Sequence, residues 1–488
     1  MAPEHHSPAE GLRAAAARQA ALLRGLGLDR RPFVLCVRNT VAHAATLKAA
    51  ADLQARVVLA PNGARPILDL AAVQAGVDHV VDVDASGSLL QVAGARVSGS
   101  GEHEDLPLPQ WAQEPPLDSG GLCAVATSGS GPAGSKLVAY RWEACAMQAK
   151  VTVERILSRA APAGGRVRFV AASSIGHAYN LNGLFAAFAA DAEICLPAGA
   201  CQLAQTLAEP PACGCEATVL FATPQGYGAL LEHEVVRSGE LRSRLREHAL
   251  PFYAFSAGCP LPAGTAEGVE ELLGARVMQN FGTSEVGVIA AEEVDPGDCG
   301  PPCKRPHLAQ ERGGDASADK GVPWGQLELR PPGGGRLLPH GAEGEVAIRV
   351  PWCSDGYLVN QRLLPHPDAP FVRTGDAGRV VLRSPGGRAS LFLMQRLWAP
   401  LEVRRGGLRL LLQAYEVEEA LLRANPEALG AAALQGPDGK LFCVVACPME
   451  PRLDGWLQPD KLLRVDRLPT SPAGKILYST LRELLLLD

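Results

Sequence analysis

Apolar positions along the first eighty residues alternate between two kinds of run. Over residues 10–26, Leu12, Ala15, Ala16, Ala20 and Leu23 share one helical face with arginines between them, and the run closes at Gly25 and Gly27. This spacing predicts a helix. FVLCVRNT (33–40) reads as a buried strand, AHAATLKAAADLQ (42–54) as a helix and ARVVLAP (55–61) as another strand. ILDLAAVQAG (67–76) and HVVDV (79–83) repeat the alternation. Strand–helix–strand order with short connections predicts an α/β unit with a largely parallel sheet.

The pattern continues through VRFVAAS (167–173), AEICLPA (192–198), ATVLFAT (217–223) and FYAFSAG (252–258), all read as strands. Residues 291–325 are rich in Gly, Pro, Asp and Cys, show no period, and read as a long surface loop. GQLELR, GEVAIRV and RVVLRS then look like antiparallel strands. From Gln395 onward, the helix AYEVEEALLRA (414–424) and the strand FCVVACP (442–448) predict a small α+β domain. The expected architecture is therefore α/β. It has a large N-terminal domain (1–394) of parallel-rich α/β sheets with a small β-subdomain, followed by a small C-terminal domain (395–488).

A chain of 488 residues agrees with two or three structural units. Its net charge of −6 argues against a sequence-independent nucleic-acid binder, which needs a basic face. No uncharged apolar stretch reaches roughly 18 residues, so no membrane span is expected. The N-terminal segment MAPEHHSPAEGLRAAAARQ lacks the apolar centre of a secretory signal. Thirteen cysteines are scattered, and Cys36, Cys195, Cys443 and Cys447 lie in apolar runs, as reduced cytoplasmic thiols do. Cys213-Gly-Cys215 and Cys299-Gly-Pro-Pro-Cys303, with His307 nearby, offer a zinc reading. Neither has the usual C-x2-C spacing, which favours incidental loop cysteines.

The segment TSGSGPAGSK (127–136) has the composition of a phosphate loop. Gly129 to Gly134 supplies G-x4-G, but Ser135-Lys136 reverses the Lys-Ser/Thr order of a Walker A loop. A strand-like LVAY (137–140) also intervenes before the helical WEACAMQAKVTVERIL. The Walker geometry fails on both counts.

TSGS followed by a lysine and a strand instead resembles the TSGSTGxPKG loop of adenylate-forming enzymes. Other segments resemble motifs of the same family, in its order. Asn280-Phe-Gly-Thr-Ser-Glu285 resembles Y-G-x-T-E, Phe371-Val-Arg-Thr-Gly-Asp376 resembles Y-x-T-G-D, and Leu468-Pro-Thr-Ser-Pro-Ala-Gly-Lys475 resembles P-x-T-x-x-G-K. FSAGCPLP (255–262) resembles G-G-A-P-L, and GAEGEVAIRV resembles P-G-E-x-G-E-I. From residue 10 to its end the chain is thus similar to the acyl/aryl-CoA synthetase and adenylation-domain superfamily, most of all to stand-alone carboxylate–CoA ligases.

That resemblance implies ATP-dependent conversion of a carboxylic acid to acyl-AMP with pyrophosphate release. Transfer to the thiol of CoA, or to carrier-protein phosphopantetheine, would follow. It implies that Thr127, Ser128, Gly129, Ser130, Gly131 and Lys136 hold the β- and γ-phosphates. Glu285 would hold Mg2+, Ser284 would touch the α-phosphate, and Asn280, Phe281, Gly282 and Thr283 would line the nucleotide site, with Phe281 against adenine or in the core. Asp376 would accept the ribose hydroxyls, and Arg396 would add a nucleotide contact. Lys475, on a mobile C-terminal lid, would reach the carboxylate and α-phosphate during adenylation. His177, in SSIGHAYNLNGL, matches the histidine that closes the acyl pocket; the acid would be aryl or short- to medium-chain acyl, and small residues flanking FGTSEVG together with Tyr179 point to a compact, aryl one.

Three departures stand out. The loop reads GPAGSK where TGxPKG is usual, the N-terminal portion is shorter than typical, and the hinge has Gln395 and Trp398 where the family carries glycine and aspartate. The altered hinge bears on the thiol half-reaction more than on adenylation, because the lid rotates between the two. It also motivates a third reading, a nucleotide-binding homologue without turnover, against which Glu285 and Lys475 argue.

Overall fold

The computed structural model describes residues 9–487 except 78, 85, 92–120, 128–135, 260, 293–321, 332–337, 339–341, 368, 383–388, 397–400, 406–407, 413, 426, 437–438, 453–457 and 471–475. For Arg396 it describes the backbone alone.

Two large sheets carry the N-terminal three-quarters of the described chain. The first has eight strands. Its parallel centre is Leu122–Ala126, Val57–Pro61, Phe33–Val37 and Val80–Val83. Leu89–Gln91 closes one edge antiparallel, and Leu137–Arg141, Gly356–Val359 and Arg362–Leu364 close the other. The second has seven strands. Glu193–Cys195, Arg166–Ala171, Cys215–Ala222, Phe252–Ser256 and Val277–Thr283 are parallel, and Gly287–Ala291 and Val322–Pro323 extend it antiparallel.

The expected small β-subdomain is a four-stranded antiparallel sheet of Gln326–Arg330, Gly344–Arg349, Val372–Leu382 and Ala389–Arg396. Further along, a hairpin (Leu401–Arg405 with Leu408–Leu412), a three-stranded sheet and the helices Ala414–Ala424 and Tyr478–Leu487 form an α+β segment. No described helix is long and apolar enough to cross a membrane.

The continuous apolar runs read from the sequence are strands buried on both faces, as parallel strands must be. Phe33, Leu35 and Val37 enter one core while Val34 and Cys36 enter another. Phe169 and Ala171 face the first core, and Val170 a third. The first core lies between the two sheets and takes in the helices Val41–Asp52, Trp142–Thr152 and Ala178–Ala189. The helix predicted over 67–76 begins earlier, at Arg65 with Pro66 in its first turn, and its last turn widens to a π-helical turn at Ala71–Ala75. Proline suits a first turn because the N–H it lacks would have had no helical partner.

One side chain ties the sheets together where the site forms. Asn39, just beyond Phe33–Val37, donates from Nδ2 to the carbonyls of Ser173, Ala171 and Pro197 at 3.0, 3.2 and 3.2 Å. Its Oδ1 accepts from the Ile175 N–H at 3.1 Å. These bonds fix the loop that leads from Arg166–Ala171 into His177. Removing them strands several backbone groups. Asn39→Ala is therefore expected to lower stability by roughly 1–3 kcal/mol, read as a shifted urea midpoint; an unshifted midpoint would show that the tie contributes nothing.

Candidate active site

The phosphate-loop segment is pinned at its base. The Thr127 N–H donates to the Lys136 carbonyl (2.8 Å), and the Lys136 N–H donates to Thr127 Oγ1 (2.9 Å). The loop joins two antiparallel strands, Leu122–Ala126 and Leu137–Arg141, and the helix Trp142–Thr152 begins only after the second. A Walker loop would run straight into a helix. Ser128, Gly129, Ser130 and Gly131 lie outside the described residues.

Asn280, Phe281, Gly282 and Thr283 end the strand Val277–Thr283, and Ser284 and Glu285 occupy the tight turn back into Gly287–Ala291. Glycine is required at both ends of this turn. A Cβ on Gly282 would meet the Gly287 carbonyl oxygen at 2.2 Å, and Gly287 has φ +75° with the buried Gln148 amide 1.8 Å from where its Cβ would stand. The turn is held from outside. Tyr140 donates to the Ser284 carbonyl, and the Glu285 carbonyl accepts from the Ser354 N–H at 2.9 Å. Burial pushes the phenol of Tyr140 far up, with Glu285 adding to the shift, so it remains a neutral donor.

Glu285 and Lys136 meet at a residue that no motif marks. The strand Gly356–Val359 pairs antiparallel with Leu137–Arg141, and the register sets Tyr357 opposite Val138. Strand periodicity puts the position two residues earlier, Lys136, on the same face. The Tyr357 hydroxyl donates to Glu285 Oε1 at 3.1 Å. The ammonium of Lys136 lies over the face of the same ring, 5.1 Å from its centroid, within cation–π range. The edge of the arrangement is braced by His366, whose ring makes a T-shaped contact with Tyr357 at 5.1 Å and whose Nε2 bonds Ser354 Oγ at 2.7 Å. Burial pushes His366 below its ordinary range, so it stays uncharged beside the lysine. Burial also pushes the Cys353 thiol up to about 12, which leaves it inert.

A second group packs between the sheets. His177 precedes the helix Ala178–Ala189, and its carbonyl accepts from Leu181 N–H at 2.9 Å. Tyr179 stacks on Phe221 with ring centroids 4.9 Å apart and planes 3° from parallel. Phe255 and Phe169 pack on Phe221 at 5.5 and 5.1 Å. The Tyr179 hydroxyl lies beside the Asn280 carboxamide. Neither group makes a hydrogen bond of ordinary geometry, and Thr283 Oγ1 is buried in the same condition. Phe281 is buried in the core between the sheets.

Asp376 is on the four-stranded sheet. Its N–H donates to Thr374 Oγ1 (3.1 Å), and its register partner is Arg396. Gly375, at φ +71°, donates to Glu345 Oε1 at 3.2 Å. Lys475 lies outside the described residues. Of the cysteines considered for zinc, Cys213 is exposed, Cys215 donates to Glu193, and Cys299 and Cys303 lie outside the described residues. Among the described residues no group of three or more His, Cys, Asp or Glu could hold a metal ion.

The donor set suits magnesium nonetheless. That ion is bound by one or two carboxylates plus substrate phosphates and water, not by an all-protein cage. Tyr357 occupies one oxygen of Glu285 and leaves the other free among the described residues. The resemblance to motifs of adenylate-forming enzymes pointed to Glu285 and Lys136. Tyr357, His366 and Tyr140 could not be found that way, because their placement comes from strand register and a distant turn.

Comparison with known proteins bears on the family and the fold. Residues 10–358 match the family described as AMP-binding enzyme. Triostin synthetase I of Streptomyces triostinicus is 30% identical over 246 residues, 46% of this chain and 42% of that protein. The mitochondrial acyl-coenzyme A synthetase ACSM4 of Rattus norvegicus is 26% identical over 306 residues, 54% of this chain and 45% of that protein. The chain thus matches less than half the length of either relative. The ATP-bound RpMatB-BxBclM chimera B3 superposes with a TM-score of 0.69 at 19% identity, covering 97% of this chain and 93% of that one, which shows a shared fold.

The glycine turn generates a direct test. Gly287→Ala forces a side chain into left-handed backbone and against Gln148, and is expected to cost more than about 1 kcal/mol and to weaken binding of a fluorescent ATP analogue, because Ser284 and Glu285 ride on the turn. Unchanged unfolding and unchanged binding together would contradict the geometry.

Proposed function

This chain belongs to the AMP-binding enzyme family, and from that premise we propose that it activates a carboxylic acid with ATP and passes the acyl group to a thiol. A carboxylate oxygen attacks the α-phosphorus, the bond to the β-phosphate oxygen breaks, and pyrophosphate leaves. Sulfur then attacks the acyl carbon, the bond to AMP oxygen breaks, and AMP leaves while the thiol proton passes to solvent. The observation that carries this reading is the joint at Tyr357, which brings Lys136 and Glu285 together from segments that are distant in sequence.

In this proposal Lys136 and the backbone of residues 127–131 hold the β- and γ-phosphates, and Ser284 meets the α-phosphate. Glu285 would hold a magnesium ion, which would supply positive charge to the phosphate oxygens. Asp376 anchors the ribose, with Arg396 beside it in register. Phe281 forms a wall of the adenine site from within the core. His177 and Tyr179 border the acid, and the ring of Tyr179, backed by the buried Phe221 on which it stacks, fits a compact aryl acid. Residues 395–488 act as the lid that brings Lys475 to the reacting groups.

The thiol is CoA in the first reading, in keeping with the similarity to an acyl-coenzyme A synthetase. Loading of a carrier-protein phosphopantetheine shares every ATP-site residue and is the second. Localisation to the cytoplasm belongs to the same proposal.

The test is pyrophosphate release across a panel of aryl and short-chain acids, with CoA, with a phosphopantetheinylated carrier, and with neither. Lys475→Ala is expected to lower acid-dependent pyrophosphate exchange by about 10²–10³-fold while thiolysis of supplied acyl-AMP is largely kept. AMP formation indifferent to every acid would refute the ligase reading, and equal loss in both half-reactions would refute the lid's role.

A further inference from the structure

We infer that Tyr357 is a positioning residue whose ring keeps Lys136 and Glu285 from neutralising each other, and whose hydroxyl orients Glu285 toward a divalent cation. The inference rests on the proposed ATP site and adds a residue to it.

Two opposite charges stand on neighbouring elements. Lys136 stands at the start of the strand Leu137–Arg141, and Glu285 is in a turn whose carbonyls are bonded by Tyr140 and Ser354, on either side of that strand's pairing with Gly356–Val359. Left to themselves, an ammonium and a carboxylate at such a place form an ion pair. They do not pair here. Lys136 makes its contact with the face of the Tyr357 ring at 5.1 Å, and Glu285 makes its contact with the hydroxyl of the same residue at 3.1 Å. Each charge is given a partner that leaves it available. A ring quadrupole holds an ammonium without supplying a negative charge. A single phenol donor occupies one carboxylate oxygen, as outer groups do when they orient a metal ligand.

The ring cannot swing aside. His366 packs against it at 5.1 Å, and His366 is itself held by Ser354 at 2.7 Å. Ser354 in turn donates its backbone N–H to the Glu285 carbonyl. The bracing therefore closes on itself: the carboxylate, the ring and the residue behind the ring are fixed to one another. Gly356, with φ +141° and the Leu364 carbonyl oxygen 1.9 Å from where a Cβ would stand, lets the neighbouring strand Arg362–Leu364, which leads to His366, pack this closely.

The two parts of the side chain make separable predictions. Tyr357→Phe keeps the ring and loses the hydroxyl. It is expected to weaken the Mg2+ dependence of ATP binding by about 10-fold, while affinity for ATP in EDTA stays within about two-fold. Tyr357→Leu removes the spacer, so Lys136 and Glu285 close on each other and affinity for ATP in EDTA falls as well. Adding Glu285→Gln to Tyr357→Leu frees the lysine and is expected to restore metal-free ATP affinity toward wild type, a coupling that a double-mutant cycle reads directly.

The measurement is calorimetric titration of the full chain with ATP, with and without Mg2+, alongside urea unfolding. Failure of the double variant to recover, with all variants folded, overturns the spacer. A phenylalanine variant with wild-type Mg2+ dependence overturns the orienting role. Wild-type protein that binds ATP under neither condition removes the functional reading, and the inference with it; wild type that binds ATP while Tyr357→Leu binds it equally well removes the inference alone.

Discussion

The antiparallel pairing of Gly356–Val359 onto Leu137–Arg141 is the constraint on which the candidate site depends. It carries the chain across more than two hundred positions to lay one short strand beside another. Three features hold it. Asp355 accepts from the Arg141 backbone N–H at 3.0 Å, the Arg141 guanidinium forms an ion pair with the same carboxylate (2.9 Å), and the Asp355 N–H donates to the Ala139 carbonyl at 2.8 Å. Because side chains alternate across a strand, a register slip by one residue would turn Tyr357 to the opposite face. The lysine, the tyrosine and the glutamate meet only in the register observed. The site is thus a property of sheet assembly rather than of any one loop.

The charges of this protein sort by whether they are satisfied. Arg38 grips Asp82 through two bonds of 2.5 and 2.6 Å, with His43 on the same carboxylate, and Arg373 grips Glu345. Burial pushes Asp82 up, but the bonds from Arg38, Val83 and His43 outweigh it and hold the group below the usual carboxylate range. Such pairs fasten strands and loops and have little left to offer a ligand. Lys136 and Glu285 are treated differently. An ion pair between them would occupy both charges, and it would have to be broken before a phosphate could use the lysine. A site for a polyanion and its counter-cation needs both signs of charge close together and not yet spent.

Much of the fold was legible because its strands are short, apolar and regularly spaced. FVLCVRNT, ARVVLAP and ATVLFAT are long enough in apolar content to need burial on both faces, and they lie in parallel sheets. The helix over 414–424 has the bounds its periodicity gives. Glu285 and Lys136 were legible because the segments that hold them resemble motifs of adenylate-forming enzymes. The residues that connect them were not. Gly356-Tyr357 has no period around it, His366 stands alone between prolines, and Tyr140 reads as one more apolar position of a strand. Their importance comes from contacts between segments far apart in the chain, which local spacing cannot carry. Asp376 was marked by its neighbours Thr374 and Gly375, and the structure gives those neighbours a purpose: Thr374 Oγ1 donates to the Val346 carbonyl and accepts from the Asp376 N–H, while Gly375 takes a left-handed conformation under Glu345.

The strand Val277–Thr283 joins the two halves of the proposed chemistry. Along its length the environment changes from apolar to polar. Met278 is in the core between the sheets, Asn280 lies beside Tyr179 at the aromatic wall, Thr283 holds a buried hydroxyl without a partner of ordinary geometry, and Glu285 follows in the turn. Buried polar groups left in that condition cost free energy in the folded protein, of the order of 1–3 kcal/mol each. Their clustering on one strand, between an aromatic wall and a carboxylate, is what a site for a molecule with an apolar body and an anionic end would require. If an acid lies against Tyr179 and a nucleotide's phosphates lie toward Lys136, a single rigid element sets the distance between their reacting atoms. Precision at that point then comes from a strand paired to Phe252–Ser256 along its first half and to Gly287–Ala291 along its second, not from the loops that surround it.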